Sequence, residues 1–140
     1  MRSNEKIQGR NSSSQISLAG QTALVTGGGR GIGKAIAMAF AEAGADIVVT
    51  SRTMSQLEET SQEIVKIEGR VLPVVADVSN GDQVKDLIQK SLKEFGKIDI
   101  LVNNAGISPY ILPIETIRED GWDRVINTNL KGVFLCTQGV

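Results

Sequence analysis

The sequence predicts an α/β fold built on a parallel β-sheet. From Thr22 onward, four short apolar runs rich in valine or isoleucine alternate with longer amphipathic stretches, which is the pattern of successive βα units. The runs are mostly apolar on both faces, as expected of strands that helices cover on two sides. A glycine-rich turn joins the first run directly to an amphipathic stretch. These observations favour one compact domain.

The apolar runs define the strands, and the stretches between them define the helices. The strands are predicted at residues 22–26, 46–51, 71–76 and 98–102. In the first helix Ile32, Ile36 and Phe40 recur every four residues, which indicates an amphipathic helix. A second helix is predicted from residue 54 to about residue 68, and it should end near Gly69.

Two more amphipathic helices are predicted after the third and fourth strands. The third helix follows helical spacing through Val84, Leu87, Ile88, Ser91, Leu92 and Phe95. The last helix should begin near Glu119, with the inward positions Trp122, Val125, Ile126, Leu130 and Val133. Helical spacing puts Asn129 among these inward positions, so an amide is expected to face the core. Because leaving a buried amide unpaired costs roughly 1–3 kcal/mol, Asn129 must find a hydrogen-bond partner there.

The composition excludes several classes of function. Fifteen basic and sixteen acidic residues give a net charge of −1, so no basic field is available to attract nucleic acid or a membrane surface. No apolar run is long enough for a membrane span, and the polar N-terminus lacks a signal-peptide core; a cytoplasmic location is expected. With one cysteine, Cys136, and no histidine, neither a disulfide framework nor a metal site is predicted. We interpret Cys136 as a small apolar residue on a packed helix; the alternative is a reactive thiol.

The chain is predicted to divide into two parts. Residues 1–17 are polar, rich in serine, asparagine and glutamine, and show no helical or strand periodicity. We interpret them as a disordered leader, because such a composition buries too little apolar surface to offset the loss of chain entropy. Residues 18–140 carry all of the βα pattern and form the domain.

A glycine-rich turn stands between the first strand and the first helix. Residues 26–33 read Thr-Gly-Gly-Gly-Arg-Gly-Ile-Gly. Glycine permits positive φ and lets a diphosphate approach the backbone, and the free N–H groups at a helix start favour an anion. The spacing fits neither the G-x-G-x-x-G fingerprint nor the P-loop, which needs a hydroxyl side chain where Ala35 stands. The turn predicts a phosphate cradle; a turn used only for tight packing is the alternative.

Two motifs together make the sequence resemble the short-chain dehydrogenase/reductase family. The turn has the pattern Thr-Gly-x-x-x-Gly-x-Gly, and residues 103–106, directly after the fourth strand, match that family's Asn-Asn-Ala-Gly signature. The resemblance runs from about Leu18 to Val140. It implies a Rossmann-type, doubly wound parallel sheet, incomplete in this half, with strands in the order 3-2-1-4. It also implies a nicotinamide cofactor across the carboxyl ends of the strands.

The resemblance further implies which residues hold that cofactor. Asp77, at the end of the third strand, is implied to bond the adenine amino group, with Val78 against the ring; Ala105 and Gly106 are implied to lie beside the nicotinamide ribose. An aspartate at a strand end is often only a turn former, and the asparagines equally suit a role in stabilising the sheet. The residues predicted to bind the cofactor are Thr26, Gly27, Arg30, Gly31, Ile32, Gly33, Ser51, Arg52, Asp77, Val78, Asn104, Ala105 and Gly106.

The end of the second strand favours NADP(H) over NAD(H). In NAD-specific proteins of this fold an acid at that point bonds the ribose hydroxyls and would repel a 2′-phosphate, but this strand ends Thr50-Ser51-Arg52. The Arg52 guanidinium is able to fork onto a phosphate, and Arg30 in the glycine turn is able to reach the same group. The alternative is that both arginines are solvated surface charges.

Resemblance also implies a catalytic role for Asn129. It matches the asparagine of the family's Asn-Ser-Tyr-Lys tetrad, which holds a water in the proton relay to the lysine; a structural amide is the alternative. The serine and the Tyr-x-x-x-Lys motif are missing, because the single tyrosine, Tyr110, is followed four residues later by Ile114. We interpret Tyr110 as a residue that lines a pocket or packs. The 140 residues are therefore expected to be an N-terminal fragment that is inactive alone.

Two functions remain open at this point. The first is an NAD(P)-dependent oxidoreductase that reduces a small carbonyl compound or oxidises a secondary alcohol. The resemblance is strongest to the branch of 3-oxoacyl-carrier-protein reductases and sugar dehydrogenases, and it implies a homodimer or homotetramer for a complete chain. The second is a noncatalytic NADP(H)-binding module or nonfunctional remnant, in which binding occurs without turnover.

Overall fold

Four parallel strands form one sheet at the centre of the computed structural model, which describes residues 16–108 and 112–140. The strands are β1 (Thr22–Thr26), β2 (Asp46–Ser51), β3 (Val71–Val75) and β4 (Ile100–Val102). Their order in the sheet is β3-β2-β1-β4, and all neighbours run parallel. This arrangement confirms the predicted fold class and the predicted strand order.

Within the described residues, five α-helices connect and cover the strands. Their bounds are α1 (Gly31–Glu42), α2 (Met54–Lys66), α3 (Gly81–Phe95), α4 (Glu119–Ile126) and α5 (Gly132–Gly139). A 3₁₀ turn (Ile114–Thr116) precedes α4, and a π-helical turn (Asn127–Lys131) joins α4 to α5 without a break. The last helix thus starts at the predicted residue, but it contains a π turn that periodicity does not reveal.

The sheet has a hydrophobic cluster on each face. Alternate residues of β1 and β2 point to opposite faces, so Val25 and Val49 join α1 and α2 while Leu24 and Val48 join α3 and α5. Helix α2 contributes Leu57 and Ile64 to the first cluster. Helix α3 contributes Val84, Leu87 and Ile88 to the second, and Ser91 is also buried, at the predicted spacing. Both faces of the central strands are therefore buried, as predicted.

Two predicted strands are longer than those observed. The third was predicted to include Ala76, whose N–H still bonds the Ser51 carbonyl at 3.1 Å, but the chain turns at Asp77. The fourth was predicted from residue 98. Its first residues instead close the amino end of β1, because the Asp99 carboxylate accepts the Thr22 N–H at 2.8 Å and the Asp99 N–H bonds the Thr22 carbonyl at 2.9 Å.

The buried face of α1 differs from the predicted one. The helix buries the small residues Gly33, Ala37 and Ala41, whereas Ile32 is 74% exposed. Ile36 and Phe40 are partly buried beside the core. Small residues occupy the inner face because α1 approaches the glycine turn so closely that a Cβ at Gly33 would overlap the Gly27 carbonyl.

The predicted inward face of the last helix is wrong at three positions, whereas Val125, Ile126 and Val133 are half-buried. Trp122 and Leu130 are 52% and 63% exposed, and Asn129 is also exposed rather than in the core. Gly132 and Cys136 are buried instead, and a Cβ at Gly132 would lie 2.8 Å from the Val78 side chain. The π turn adds a residue to one turn of the helix, so the 3.6-residue spacing assumed from the sequence does not hold across it.

Other sequence predictions have simpler outcomes. Cys136 is fully buried on α5, as predicted for a packing residue, and burial raises the pKa of its thiol. Residues 1–15 of the predicted leader and Tyr110 lie outside the described residues. Within the described ranges, no helix is both long and apolar enough to cross a lipid bilayer. The same ranges hold no cluster of three or more metal-ligating side chains of the His, Cys, Asp or Glu type.

Candidate functional site

A cleft of about 470 Å³ opens at the carboxyl ends of the strands. The ends of parallel strands meet at one edge of the sheet, so the loops that follow them come together there. The cleft is lined by the glycine turn, the ends of β2 and β3, the loop after β4 and Thr128. Eleven of the thirteen predicted cofactor-binding residues line it: Gly27, Arg30, Gly31, Ile32, Ser51, Arg52, Asp77, Val78, Asn104, Ala105 and Gly106.

The other two, Thr26 and Gly33, are buried and do not line the cleft. The Thr26 hydroxyl donates to the Val102 carbonyl at 3.2 Å and accepts the N–H groups of Asn104 and Ala105 at 3.0 Å each. All of its hydrogen-bonding capacity is therefore used within the protein. Thr26 fixes the loop after β4 against the end of β1.

The glycine turn brings backbone unusually close to backbone. The Asn104 amide nitrogen donates to the carbonyls of Thr26 and Gly27 at 3.0 and 3.3 Å. A Cβ at Gly27 would lie 2.8 Å from that nitrogen, and Gly27 has a φ of +67°. Gly31, the first residue of α1, has a φ of +56° and open space where a side chain would project. The first N–H groups of α1, which have no intrahelical partner, thus border an uncrowded cleft.

The end of β2 adds hydroxyl and guanidinium groups to the cleft. The Ser51 hydroxyl accepts the Thr53 N–H at 3.3 Å and donates to the Thr53 carbonyl at 3.2 Å, which shapes the turn into α2. Arg30 and Arg52 are exposed, and neither forms an ion pair with another residue in the described part of the chain. Two positive charges therefore border the cleft, Arg52 after the end of β2 and Arg30 in the glycine turn.

Asp77 both forms a turn and lines the cleft. Its Oδ1 accepts the Ser79 N–H at 2.9 Å and the Ser79 hydroxyl at 2.6 Å, while its own N–H donates to the Gln83 side chain at 2.8 Å. Desolvation acts to raise the pKa of Asp77, but the Ser79 hydrogen bonds and the charge of Arg52 outweigh it and hold that pKa below its ordinary value. Asp77 is therefore a carboxylate at neutral pH.

Asn129 lies in the π turn and holds the loop after β4. Its Oδ1 accepts the Ile107 N–H and its Nδ2 donates to the Ile107 carbonyl, both at 2.8 Å. Asn129 does not line the cleft, although the preceding residue, Thr128, does. Asn129, the predicted catalytic residue, thus lies at the edge of the cleft. Its side chain bonds backbone atoms and does not face the core, contrary to the prediction.

Seven cleft residues were not among the predicted cofactor-binding residues. They are Gly29, Thr50, Thr53, Gln56, Ala76, Ile107 and Thr128. Six of the seven stand next to a predicted site residue in the chain, so proximity to those residues was the available signal. Gln56 reaches the cleft from the first turn of α2, a position that no motif in the sequence marks.

Comparison with protein families and curated proteins gives consistent matches. A family model described as short chain dehydrogenase matches residues 21–140. The 3-oxoacyl-acyl-carrier-protein reductase FabG of Thermotoga maritima is 42% identical over 123 residues, which cover 88% of this chain and 50% of that protein. The 3beta-hydroxysteroid dehydrogenase 2 of Eggerthella lenta is 40% identical over 121 residues, 86% of this chain and 46% of that protein.

Solved structures give the same result. A putative short-chain alcohol dehydrogenase from Sinorhizobium meliloti superposes with a TM-score of 0.84 at 42% identity, covering 89% of this chain and 49% of that one. A metagenomic short-chain oxidoreductase in complex with NADP has a TM-score of 0.84 at 37% identity, covering 87% of this chain and 55% of that one. The chain therefore spans about half the length of the relatives that it matches.

Proposed function

The chain belongs to the short-chain dehydrogenase family, whose members bind nicotinamide cofactors, and from this premise we propose that it forms the dinucleotide-binding half of an oxidoreductase. The reaction would be hydride transfer between the nicotinamide and a small carbonyl compound or secondary alcohol. The single observation that carries the proposal is the cleft at the strand ends, which gathers the glycine turn and the Asn-Asn-Ala-Gly loop around one cavity.

The residues present fit a dinucleotide. A diphosphate needs close approach to backbone N–H groups at the start of a helix, and Gly31 leaves that approach open. Gly27 and Gly33 allow the turn to sit against Asn104, where any Cβ would collide. The cleft volume of about 470 Å³ is within the range of small-molecule sites. A turn used only for packing would not need the open space beside Gly31.

Each cleft residue has a proposed part in binding. The N–H groups at the start of α1 would hold the diphosphate, with Ile32 as an exposed apolar contact beside it. Asp77 would accept a hydrogen bond from the adenine amino group, and Val78 would contact the ring. Ala105 and Gly106 would lie beside the nicotinamide ribose. When bound, the nicotinamide supplies or accepts the hydride; the protein residues bind it and orient it.

We propose that the cofactor is NADP(H) rather than NAD(H). Arg52 and Arg30 are exposed at the cleft without an ion-pair partner among the described residues, and Ser51 stands where an acid would select NAD(H). A charge-assisted bond to a 2′-phosphate contributes roughly 1.5–3 kcal/mol, which is about ten- to a hundredfold in affinity. The similar metagenomic oxidoreductase that was solved with NADP supports this choice.

Asn129 is proposed to act beside the reacting groups. Both polar atoms of its amide bond the Ile107 backbone, so its own orientation is fixed, and the carbonyl oxygen retains a second lone pair that is able to accept from a water. That is the requirement for a residue that positions a water in a proton relay. The remaining acid–base groups of the reaction would come from residues outside this chain.

The substrate is proposed only as a class. Relatives of similar identity include a 3-oxoacyl-acyl-carrier-protein reductase, a 3beta-hydroxysteroid dehydrogenase and a probable 2,4-dienoyl-CoA reductase, so this half of the fold accompanies chemically different substrates. The first two names describe an oxo group and a hydroxyl group, and these favour a small carbonyl compound or alcohol as the proposed class. A homodimer or homotetramer is the proposed assembly.

The test is to titrate this chain with NADPH and with NADH by nicotinamide fluorescence. Nicotinamide absorbance is then followed with a panel of ketones and secondary alcohols, in a protein that also carries the remaining acid–base groups. We expect tighter binding of NADPH and turnover with members of the panel. Binding without any turnover would favour the noncatalytic module instead. Absence of binding to either dinucleotide would refute the proposal.

A further inference from the structure

Thr50, near the end of β2, carries a buried hydroxyl with no hydrogen-bond partner. Its side chain is fully buried, and among the described residues its Oγ1 is the one buried side-chain oxygen or nitrogen that lacks a partner. A buried hydroxyl in that state destabilises a protein, whereas a valine of the same shape would not. The Thr50 carbonyl does have a partner, because it accepts the Gly28 N–H at 3.1 Å. The side chain alone is unexplained.

The neighbours of Thr50 show that the sheet does not supply the missing partner. Residues alternate along β2, so Thr50 shares the face of Val48, toward the cluster that includes Val74 and Ala76. Its register partner on β1 is Thr26, whose hydroxyl already makes three hydrogen bonds. Its register partner on β3 is Val74, which has no polar side-chain atom. Thr26 and Thr50 thus lie side by side on one face. The Thr26 hydroxyl makes all the hydrogen bonds that it can, and the Thr50 hydroxyl makes none.

Thr50 also lines the cleft. It precedes Ser51 and Arg52, and the Ala76 N–H bonds the Ser51 carbonyl, so the ends of β2 and β3 adjoin at this part of the floor. We propose that the Thr50 hydroxyl hydrogen-bonds the adenosine half of the bound dinucleotide, directly or through one trapped water. This rests on the proposed dinucleotide function. A hydroxyl both donates and accepts, so it is able to pair with a ribose hydroxyl or a ring nitrogen.

The test compares Thr50→Val with Thr50→Ser in the purified protein. We expect Thr50→Val to weaken NADPH binding about three- to tenfold, the value of one neutral hydrogen bond, without lowering the melting temperature of the ligand-free protein. The affinity for 2′,5′-ADP, which carries only the adenosine half, should fall by the same factor. Thr50→Ser keeps the hydroxyl and should bind both ligands nearly as the wild type does.

The outcomes separate this inference from the proposed function. If the wild-type protein binds neither dinucleotide, the proposed function fails and the inference fails with it. If the wild type binds and Thr50→Val binds equally well, only the role of Thr50 is refuted. A lower melting temperature of ligand-free Thr50→Val would show that the hydroxyl has a partner within the protein. A loss of NADPH affinity without a loss of 2′,5′-ADP affinity would show that the hydroxyl contacts a part of the ligand outside the adenosine half. Either result overturns the inference.

Discussion

Asn129 and Ile107 are joined by two hydrogen bonds of 2.8 Å, one in each direction between the side-chain amide and the backbone. The pair ties the π turn to the loop after β4, 22 residues earlier in the chain. π-helical turns occur frequently at functional sites, because the extra residue redirects a side chain that regular helix geometry would point elsewhere. Here the redirected side chain is that of Asn129.

Replacing Asn129 should therefore affect turnover more than cofactor binding. Asn129→Ala removes both bonds to Ile107 and the amide that would hold a water. In a protein that also carries the remaining acid–base groups, we therefore expect turnover to fall by about a hundredfold, the size of a lost proton-transfer aid. The dissociation constant for NADPH should change little, since Asn129 does not line the cleft. Steady-state kinetics and a fluorescence titration measure the two effects. Asn127→Ala, an exposed amide in the same turn, is the matched control, and equal losses in the two variants would contradict the prediction.

Thr26→Val should destabilise the protein. The substitution leaves the N–H groups of Asn104 and Ala105 without the hydroxyl that both donate to, and each unpaired buried group costs about 1–3 kcal/mol. We expect a loss of about 2–3 kcal/mol in the free energy of unfolding, measured by urea denaturation. Thr26→Ser keeps the hydroxyl and serves as the control. If Thr26→Val is as stable as Thr26→Ser, the prediction is contradicted, and water accepts the two N–H groups in place of the threonine hydroxyl.

The fold and most of the site could be predicted from the sequence because both depend on local patterns. Valine- and isoleucine-rich runs mark buried strands, and the carboxyl ends of parallel strands necessarily meet, so motifs placed after β1 and β4 were expected to share one site. This reasoning predicted that Gly31 and Ala105 share one site, and both residues line the cleft. It required no knowledge of side-chain packing.

The errors arise where tertiary contacts override local periodicity. Ile32 follows the apolar spacing of α1, yet it is exposed because the helix start faces an open cleft rather than the core. The spacing that placed Asn129 inward assumed a regular α-helix, and the π turn breaks that assumption. No single-residue pattern signals Thr50 either, because its unpaired state depends on Thr26 and Val74 in neighbouring strands.

Gly33→Ala should abolish dinucleotide binding and reduce stability. Alanine is intrinsically better than glycine inside a helix by about 1 kcal/mol, but here its Cβ would overlap the Gly27 carbonyl and the Asn104 amide. The glycine turn must shift to relieve the overlap, so the steric effect exceeds the propensity gain. Thermal melting and an NADPH titration measure the two consequences. A Gly33→Ala protein that is more stable and binds normally would contradict the close packing.

Gly31→Ala provides the contrasting case. A Cβ at Gly31 meets no atom within 4 Å, and the only penalty is its φ of +56°, which costs an alanine about 1–2 kcal/mol. We expect a moderate loss of stability without the collision that Gly33→Ala suffers. Any loss of NADPH affinity in Gly31→Ala would then be caused by the new methyl group, which projects into the cleft.

Arg52→Gln should change cofactor preference. If Arg52 pairs with a 2′-phosphate, its loss weakens NADPH binding by about ten- to a hundredfold and leaves NADH binding nearly unchanged, because NADH lacks that phosphate. Titrations with both dinucleotides at low and high salt give the measurement, and the wild-type preference for NADPH should shrink as salt screens the charge. Lys93→Gln removes an exposed positive charge from the last turn of α3 and is the control. An equal loss of affinity for both dinucleotides would assign Arg52 to another part of the ligand.

Asp99 should make stability depend on pH in the acid range. Its carboxylate accepts the Thr22 N–H at 2.8 Å and lies 3.0 Å from the Lys97 ammonium, and these contacts hold the pKa of Asp99 below its ordinary value of 3.8. A folded-state pKa below the unfolded one stabilises the protein above the unfolded value, and that contribution is lost as pH falls through the folded value.

Asp99→Asn isolates this contribution, because the amide oxygen still accepts from Thr22 but carries no charge. The melting temperature of the variant should lie below that of the wild type at neutral pH. The two should converge as the pH falls through the folded-state pKa of Asp99, which lies below 3.8 and at which the wild-type carboxylate also becomes neutral. Asp123→Asn removes an exposed acid from α4 and reports the effect of charge removal alone. A melting difference that persists unchanged in strong acid would show that Asp99 acts through its shape and not through its charge.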